Sequence, residues 1–421
     1  MRTMKEMPYV IGIKAKLYLS KRDRYIVALN DGACRYVYNH LVAVGKEIYE
    51  LKKSAGCSPW AKERIAYLKS VSSTAKGIKN SAPFLYGKDI DSSVIDNAVQ
   101  NYRAAWKSYR ERHAGVPVFR KKGGRMSYQT CNHYKGGSTH MNDGSIRFEG
   151  KDHIRLPLMG RVRISASPKM IEDILSHAGL YETRIGTAHI SRDAVGEYWV
   201  AVQIGSTHPF REALPKTGKA IGIDLNLGNF LTDSDGRTVD NPRYLKRLET
   251  KIKKKQRKLS RKAERAKKEH RSLRESKNYQ KQREKLAYLH RKVERQRKDF
   301  HNTVAKDVVK NQDIITAEGL KVRNLTRNHR LSKSINDAGW RSFLTVLSQK
   351  ALMYGKTFAL VDPRNTTQTC SACGYVLMGN EKLSLSDREW TCPSCGMHHE
   401  RDCNAARNIL KRYMDTQHRT A

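Results

Sequence analysis

Three acidic residues stand where an acid is least expected in a chain carrying 81 Lys and Arg against 41 Asp and Glu. Asp224 sits in IGIDLNLGNFLTD between Ile223 and Leu225, mid-strand by its alternation, where a buried carboxylate is costly unless it binds a cation. Glu318 lies at the C-terminal end of the apolar run IITAE, the end at which α/β sheets commonly place active groups. Asp402 opens the helical stretch DCNAARNIL. Taken singly, each has an ordinary reading, such as a helix cap for Asp402 or an edge-strand acid for Glu318. Together they make a set of oxygen ligands suited to hard divalent cations, Mg2+ or Mn2+. Two such ions about 4 Å apart activate a water and stabilise the leaving 3′-oxygen in phosphodiester hydrolysis.

Four cysteines form a second, softer donor set. Cys370-x2-Cys373 and Cys392-x2-Cys395 are paired knuckles, each followed by a glycine, Gly374 or Gly396. The pattern predicts four thiolates around a structural Zn2+. The glycines allow the backbone to turn with positive φ beneath the metal. Cys34, Cys57, Cys131 and Cys403 are scattered and fall outside this spacing. Disulfides are disfavoured, because MRTMKEMPYVIGIKAK is charged from its start and lacks an apolar signal core, so a reducing, cytoplasmic setting is expected.

Positioning these groups requires more than one core, which 421 residues can supply. Residues 7–18 read as a strand, followed by a helix over RYIVALNDGACRYVYNHLVAVGKEIYELKK. A second helix covers SSVIDNAVQNYRAAWKSYRER, with a capping serine at Ser92 or Ser93. Tyr25, Val27, Tyr36, Val37, Leu41 and Val42 supply the first helix's apolar period. From GVPVFRKKGG onward, short alternating strands such as SIRFEG and EYWVAVQIG predict a small antiparallel barrel. PKTGKA, 215–220, reads as a linker. Beyond it, residues 241–300 hold 25 Lys and Arg against 7 Asp and Glu, with sparse apolar positions at helical spacing. That predicts a long helical hairpin with one narrow buried seam and broad cationic faces for phosphate.

The formal net charge of +40 makes nucleic acid the expected partner. No apolar run approaches the length of a spanning helix, so no membrane partner is expected.

GIDLNLGNFLTDSDG, the basic hairpin ending in RQRKDFHN, IITAEGL, NHRLSKSINDAGW, DPRNTTQTCSACG and DREWTCPSCGMHHERDCNAARNIL follow one another in order. In this combination the chain resembles the TnpB family of RNA-guided DNA endonucleases carried by insertion sequences, strongly over about 216–412. The N-terminal half resembles it more loosely, through ACRYVYNHL, PVFRKKGG and HIRLPLMGRVRI. Miniature type V CRISPR effectors share the nuclease half. The resemblance implies a multidomain α/β fold. An RNase H-like RuvC domain would span 216–421, with the basic hairpin at 241–300 and a zinc ribbon at 365–400. A helical recognition lobe would span 25–115, and a wedge-like β-barrel 1–24 plus 116–215.

It further implies that Asp224, Glu318 and Asp402 are the catalytic metal-binding acids and that Cys370, Cys373, Cys392 and Cys395 hold zinc. DAGW, 337–340, resembles the segment that gates the active site in relatives. Ser92, Ser93, Asp96, Asn97 and Thr130 are the candidates for reading a short duplex motif beside the target. The implied partners are a guide RNA, double-stranded target DNA and its displaced strand, in a bacterial, nucleoid-associated setting. One copy per guide is expected, with a dimer as the alternative. Base pairing would supply sequence recognition, the displaced strand would follow the cationic groove to the acids, and cleavage would leave a 5′-phosphate and a 3′-hydroxyl. The alternatives are a guide-directed repressor that does not cut, a CRISPR effector rather than a transposon nuclease, and a strand-transferring transposase.

Overall fold

The computed structural model describes residues 2–420 apart from 55–57, 113, 124, 135, 137, 139 and 385, so Cys57 lies outside the described residues. The chain divides into two compact units, Met1–Phe210 and Arg211–Ala421.

The first unit begins with β1 (Tyr9–Tyr18), then α1 (Lys21–Ser54), α2 (Pro59–Ser72), α3 (Ala75–Ser81) and α4 (Ser92–Arg112). It continues with β2 (Met126–Cys131), β3 (Arg147–Phe148), β4 (His153–Leu156), β5 (Gly160–Ser165), α5 (Pro168–Leu180), β6 (Thr183–Arg192) and β7 (Tyr198–Ser206). The strands form one antiparallel sheet in the order β2-β6-β7-β1-β5-β4-β3. Alternation is clean on β1, where Ile13, Ala15 and Leu17 point inward and Lys14, Lys16 and Tyr18 do not. Beyond the outermost strands, the Ser145 amide donates to the His133 carbonyl at 2.9 Å and the Ile146 amide to Asn132 Oδ1 at 2.7 Å. The chain leaving β2 therefore runs beside the chain entering β3. Ile13 and Leu17 of the sheet, Val27 and Val37 of α1, and Val94 and Ile95 of α4 share one hydrophobic core. The buried stripe of α1 is narrower than its periodicity suggested. Val27, Val37, Leu41 and Val42 are buried, whereas Tyr25 and Tyr36, and Tyr109 on α4, face solvent. A tyrosine beside a stripe keeps its hydroxyl wet without weakening the core.

The second unit opens with β8 (Ala220–Asp224), β9 (Asn229–Asp233) and β10 (Thr238–Asp240), followed by α6 (Tyr244–Lys268) and α7 (Lys277–Asn311). Then come β11 (Ile314–Glu318), α8 (Val322–Leu325), α9 (His329–Ala338), α10 (Trp340–Met353) and β12 (Thr357–Val361). The hairpin strands β13 (Glu389–Thr391) and β14 (His398–Glu400) lead into α11 (Arg401–Thr420). The five-stranded sheet runs β10-β9-β8-β11-β12, antiparallel from β10 to β8 and parallel from β8 to β12.

The stretch expected to be a linker is instead tied into this unit. The Leu214 amide donates to the Tyr354 carbonyl, Lys356 Nζ to the Pro215 carbonyl at 2.6 Å, and the Thr217 and Gly218 amides to the Asp313 carboxylate at 2.8 and 2.7 Å. The basic segment is a helical pair, α6 and α7, whose second arm extends past residue 300 to Asn311. Its seam is thin, with Ile252 and Ala266 buried on α6 and Val293 on the facing part of α7. Arg243, ahead of α6, has left-handed backbone and gives no side-chain cap. The cap comes from far along the chain, where the Asp337 carboxylate accepts from the Leu245 and Lys246 amides at 2.9–3.2 Å. DAGW is held at that point by Arg297, donating to the Asn336 carbonyl at 2.7 Å, and by His301 Nε2, 2.9 Å from the Ala338 carbonyl.

Candidate active site and cysteine cluster

Strand register brings the first two acids together. Parallel pairing sets Ala317 opposite Ile223, so the next residue on each strand, Glu318 and Asp224, ends β11 and β8 side by side. Asp224 is thus terminal in its strand and not central, since the following Leu225 and Leu227 belong to the turn into β9. The third acid arrives on α11, which lies directly on β8. Gly222 leaves no room for a Cβ against the Ala406 carbonyl oxygen, and only glycine permits that approach. The Glu400 carboxylate caps α11 by accepting from the Asp402 amide at 3.3 Å and the Cys403 amide at 2.7 Å. Asp402 is therefore not the cap it could have been, and its carboxylate is free for other partners.

All three acids are buried, with Asp224 6%, Glu318 8% and Asp402 5% exposed. Burial pushes Asp224 well above the ordinary carboxylate range, and the negative charges of Glu318 and Asp402 push it further; Arg401 and Asn226 pull the other way. Burial also raises Glu318, opposed by the Thr366 hydroxyl that donates to it and by the charge of Arg412. Asp402 is held by Arg401, whose Nε and Nη2 donate to Oδ1 at 3.0 and 2.9 Å, while Arg388 Nη1 lies 3.5 Å from Oδ2. Asp224 and Glu318, both raised and ending adjacent strands, with the Asp402 charge felt at Asp224, are oxygen donors of the kind hard divalent cations take.

The four knuckle cysteines also converge. Their Sγ atoms lie within 4.8 Å of one another, with Cys370–Cys395 and Cys373–Cys392 both at 3.7 Å. Four sulfurs around one zinc, each about 2.3 Å away, form a tetrahedron with edges of about 3.8 Å. The knuckles are copies of one turn. In each, the first cysteine's amide donates to a carbonyl five residues on, and the following glycine's amide returns to the cysteine carbonyl. Gly374 and Gly396 have φ of 82° and 71°, the positive values their positions call for. The Tyr375 backbone pulls the exposed Cys373 thiol down to about 7. Buried His399, unmarked in the sequence, places Nε2 3.0 Å from Cys370 Sγ.

Two asparagines one helical turn apart fasten the cysteine cluster to the acids. Asn404 Oδ1 accepts from the Ser371 amide and its Nδ2 donates to the Thr369 carbonyl, each at 2.8 Å. Asn408 Nδ2 donates to the carbonyls of Thr366 and Thr369. Thr366 in turn donates to Glu318. Sequence reasoning passed over Thr366, Arg388, Arg401, Asn404 and Asn408. Only the i, i+4 asparagines, Asn404 and Asn408, offered a signal.

The candidate motif readers divide. Ser93 and Thr130 are buried and spend their hydroxyls on His133 and Asp91. They are positioned to brace the α4 start against β2, not to face a base. Asn97 donates to the carbonyls of Ser93 and Gln129. Ser92 and Asp96 are exposed on the first turns of α4.

Two family models match the chain: "Probable transposase" over residues 200–329 and "Cas12f1-like, TNB domain" over 340–409. A Streptomyces pristinaespiralis protein named "Putative RNA-guided DNA endonuclease" is 35% identical over 53% of this chain and 52% of its own length. The chain thus spans about half of that relative. Escherichia coli K12 InsQ, which bears the same description, is 27% identical over 90% of this chain and 86% of its own. A TnpB-like protein of Acanthamoeba polyphaga mimivirus is 32% identical over 30% of this chain. Among solved structures, a Cas12f1–sgRNA–target DNA complex superposes with a TM-score of 0.52 at 16% identity, covering 96% of this chain and 98% of that one.

Proposed function

We propose that this chain, which belongs to the TnpB family, is an RNA-guided, divalent-metal-dependent DNA endonuclease. The observation that carries the reading is the pairing of Asp224 and Glu318 at adjacent strand ends, with Asp402 near enough for its charge to bear on Asp224, all three buried in a chain of net charge +40. Mg2+ or Mn2+ held there would supply a nucleophilic water and stabilise the leaving oxygen of a phosphodiester. Glu318, steadied by Thr366, and Asp402, steadied by Arg401, hold their carboxylates in place beside Asp224 at the strand ends.

In this reading the second unit is a RuvC-type, RNase H-like nuclease domain, and Zn2+ on Cys370, Cys373, Cys392 and Cys395 braces the ribbon that carries α11. The helices at 25–115 serve as a recognition lobe. The first unit's sheet, its outer edges drawn together at 132–134 and 144–146, serves as the wedge-like barrel. The cationic faces of α6 and α7 bind phosphate backbone, and the exposed Ser92 and Asp96 are left as motif contacts. A guide RNA pairs with target DNA at the nucleoid, and the displaced strand reaches the acids. Among the described residues no helix is long and apolar enough to cross a membrane.

The test is cleavage of a guide-matched plasmid by the RNA-loaded protein in Mg2+. Asp224→Ala, Glu318→Ala and Asp402→Ala should each lower the rate by roughly 10³-fold while guide binding survives. Cutting at the wild-type rate by any one of them would remove that acid from the reading.

A further inference from the structure

Arg401 is a charged side chain with little exposure, adjacent in sequence to one of the proposed metal ligands. Its guanidinium is fully deployed. Nε and Nη2 grip a single oxygen, Oδ1, of Asp402 at 3.0 and 2.9 Å. Nη1 points away from the acid and donates to the carbonyls of Ser384 at 3.3 Å and Asp387 at 3.1 Å. Its backbone amide donates to the Arg388 carbonyl at 2.8 Å. A guanidinium held on two sides in this way is a rigid planar brace, which a lysine cannot reproduce. Oδ2 of Asp402 meets only the longer 3.5 Å approach of Arg388 among these contacts.

We infer that Arg401 is the positioning residue of the acid site. It locks the Asp402 carboxylate by Oδ1, so that Oδ2 is offered to the divalent cation, and it takes its own bearing from the Ser384 and Asp387 carbonyls ahead of the second cysteine knuckle. The same charge offsets Asp402, so three buried carboxylates can be assembled before a cation arrives. The guanidinium keeps its grip when the cation binds, because ion and arginine use different oxygens. Partners that hold a metal-ligating carboxylate from behind set its orientation and basicity, and removing them typically weakens metal binding roughly 10- to 100-fold. The inference rests on the metal-nuclease reading and adds a residue that touches neither substrate nor metal.

The experiment uses full-length, guide-loaded protein and measures Mn2+ binding by the loss of the free-ion electron paramagnetic resonance signal, alongside cleavage as a function of Mn2+ concentration. Arg401→Gln should raise the Mn2+ dissociation constant roughly 10- to 100-fold. Its cleavage rate should approach wild type at saturating Mn2+, with bound zinc and guide affinity unchanged. Arg401→Lys, which restores the charge without the fork, should fall between the two. Unchanged or tighter Mn2+ binding in Arg401→Gln overturns the inference, tighter binding because it would make the guanidinium a competitor of the ion. Wild-type affinity in Arg401→Lys overturns the positioning role in favour of charge alone. Loss of zinc from both variants overturns it in favour of a purely structural role. If wild-type protein binds no Mn2+ more tightly than Asp224→Ala, the acid-site reading fails first and takes the inference with it, a pattern distinct from the other outcomes.

Discussion

The two ends of the five-stranded sheet treat their carboxylates in opposite ways. Just before β11, Asp313 accepts from the Thr217 and Gly218 amides and pairs with Lys356 Nζ, whose side chain is only 1% exposed. The Lys356 hydrogen bond, with those amides, holds Asp313 far below the ordinary carboxylate range. Five residues on, burial pushes Glu318 the other way, against the Thr366 hydroxyl and the charge of Arg412, and burial raises Asp224 with it. One end of the strand is saturated and fastens the chain. At the other end, Asp402 is paired with Arg401, but Asp224 and Glu318 are raised by burial with less to offset it, so ionising them there costs free energy. A lowered carboxylate marks scaffold here, and raised ones mark the candidate site.

The harshest way to break this contrast is to move the acids without touching them. Gly222→Val would push α11 off β8 and carry Asp402 with it. The expected result is a loss of about 1–3 kcal/mol in denaturant unfolding, with cleavage falling far more than that stability loss explains. Wild-type cleavage in a folded Gly222→Val protein would mean that the close approach does not position Asp402. The saturated end should fail differently. Asp313→Asn strands the buried Lys356, so its thermal midpoint should drop while the cleavage rate of the folded fraction is kept. The sign follows from the depressed Asp313: its contribution is present above the usual carboxylate pKa and is lost as pH falls through the lowered value. The variant should therefore lose the wild-type protein's destabilisation below about pH 4. The smallest effect is expected at Asp224. Its raised pKa means that ionised Asp224 opposes folding, and that opposition is relieved as pH falls through the folded pKa. In zinc-loaded protein free of Mg2+ and Mn2+ near pH 7, Asp224→Asn should raise the thermal midpoint slightly although it lowers cutting strongly. An unchanged or lower midpoint would show the acids are already balanced without a cation.

How much of this could be seen beforehand depends on how local each signal is. The cysteine cluster was legible because its ligands come in x2 pairs with glycines where the turns require positive φ. The acids were legible by type, as costly residues in apolar or strand-terminal settings, yet their convergence depends on register and on α11. Asp224 was misplaced by a few residues because Leu225 is buried and prolongs the strand's alternation into a turn. The linker was misjudged since proline and glycine look alike whether a segment swings free or is pinned by a distant aspartate and lysine. Ser93 and Thr130 looked like surface polar groups because their partners, His133 and Asp91, come from other elements. Arg401 was invisible for the same reason in a chain with 81 cationic residues.

The cap that Asp337 places on α6 ties the root of the cationic arm to the residue that starts DAGW. Swinging the base of α6 would break those amide bonds, while α7, which runs on toward β11, is held to the same segment by Arg297 and His301. One aspartate thus latches the first turn of α6 to a segment more than ninety residues away.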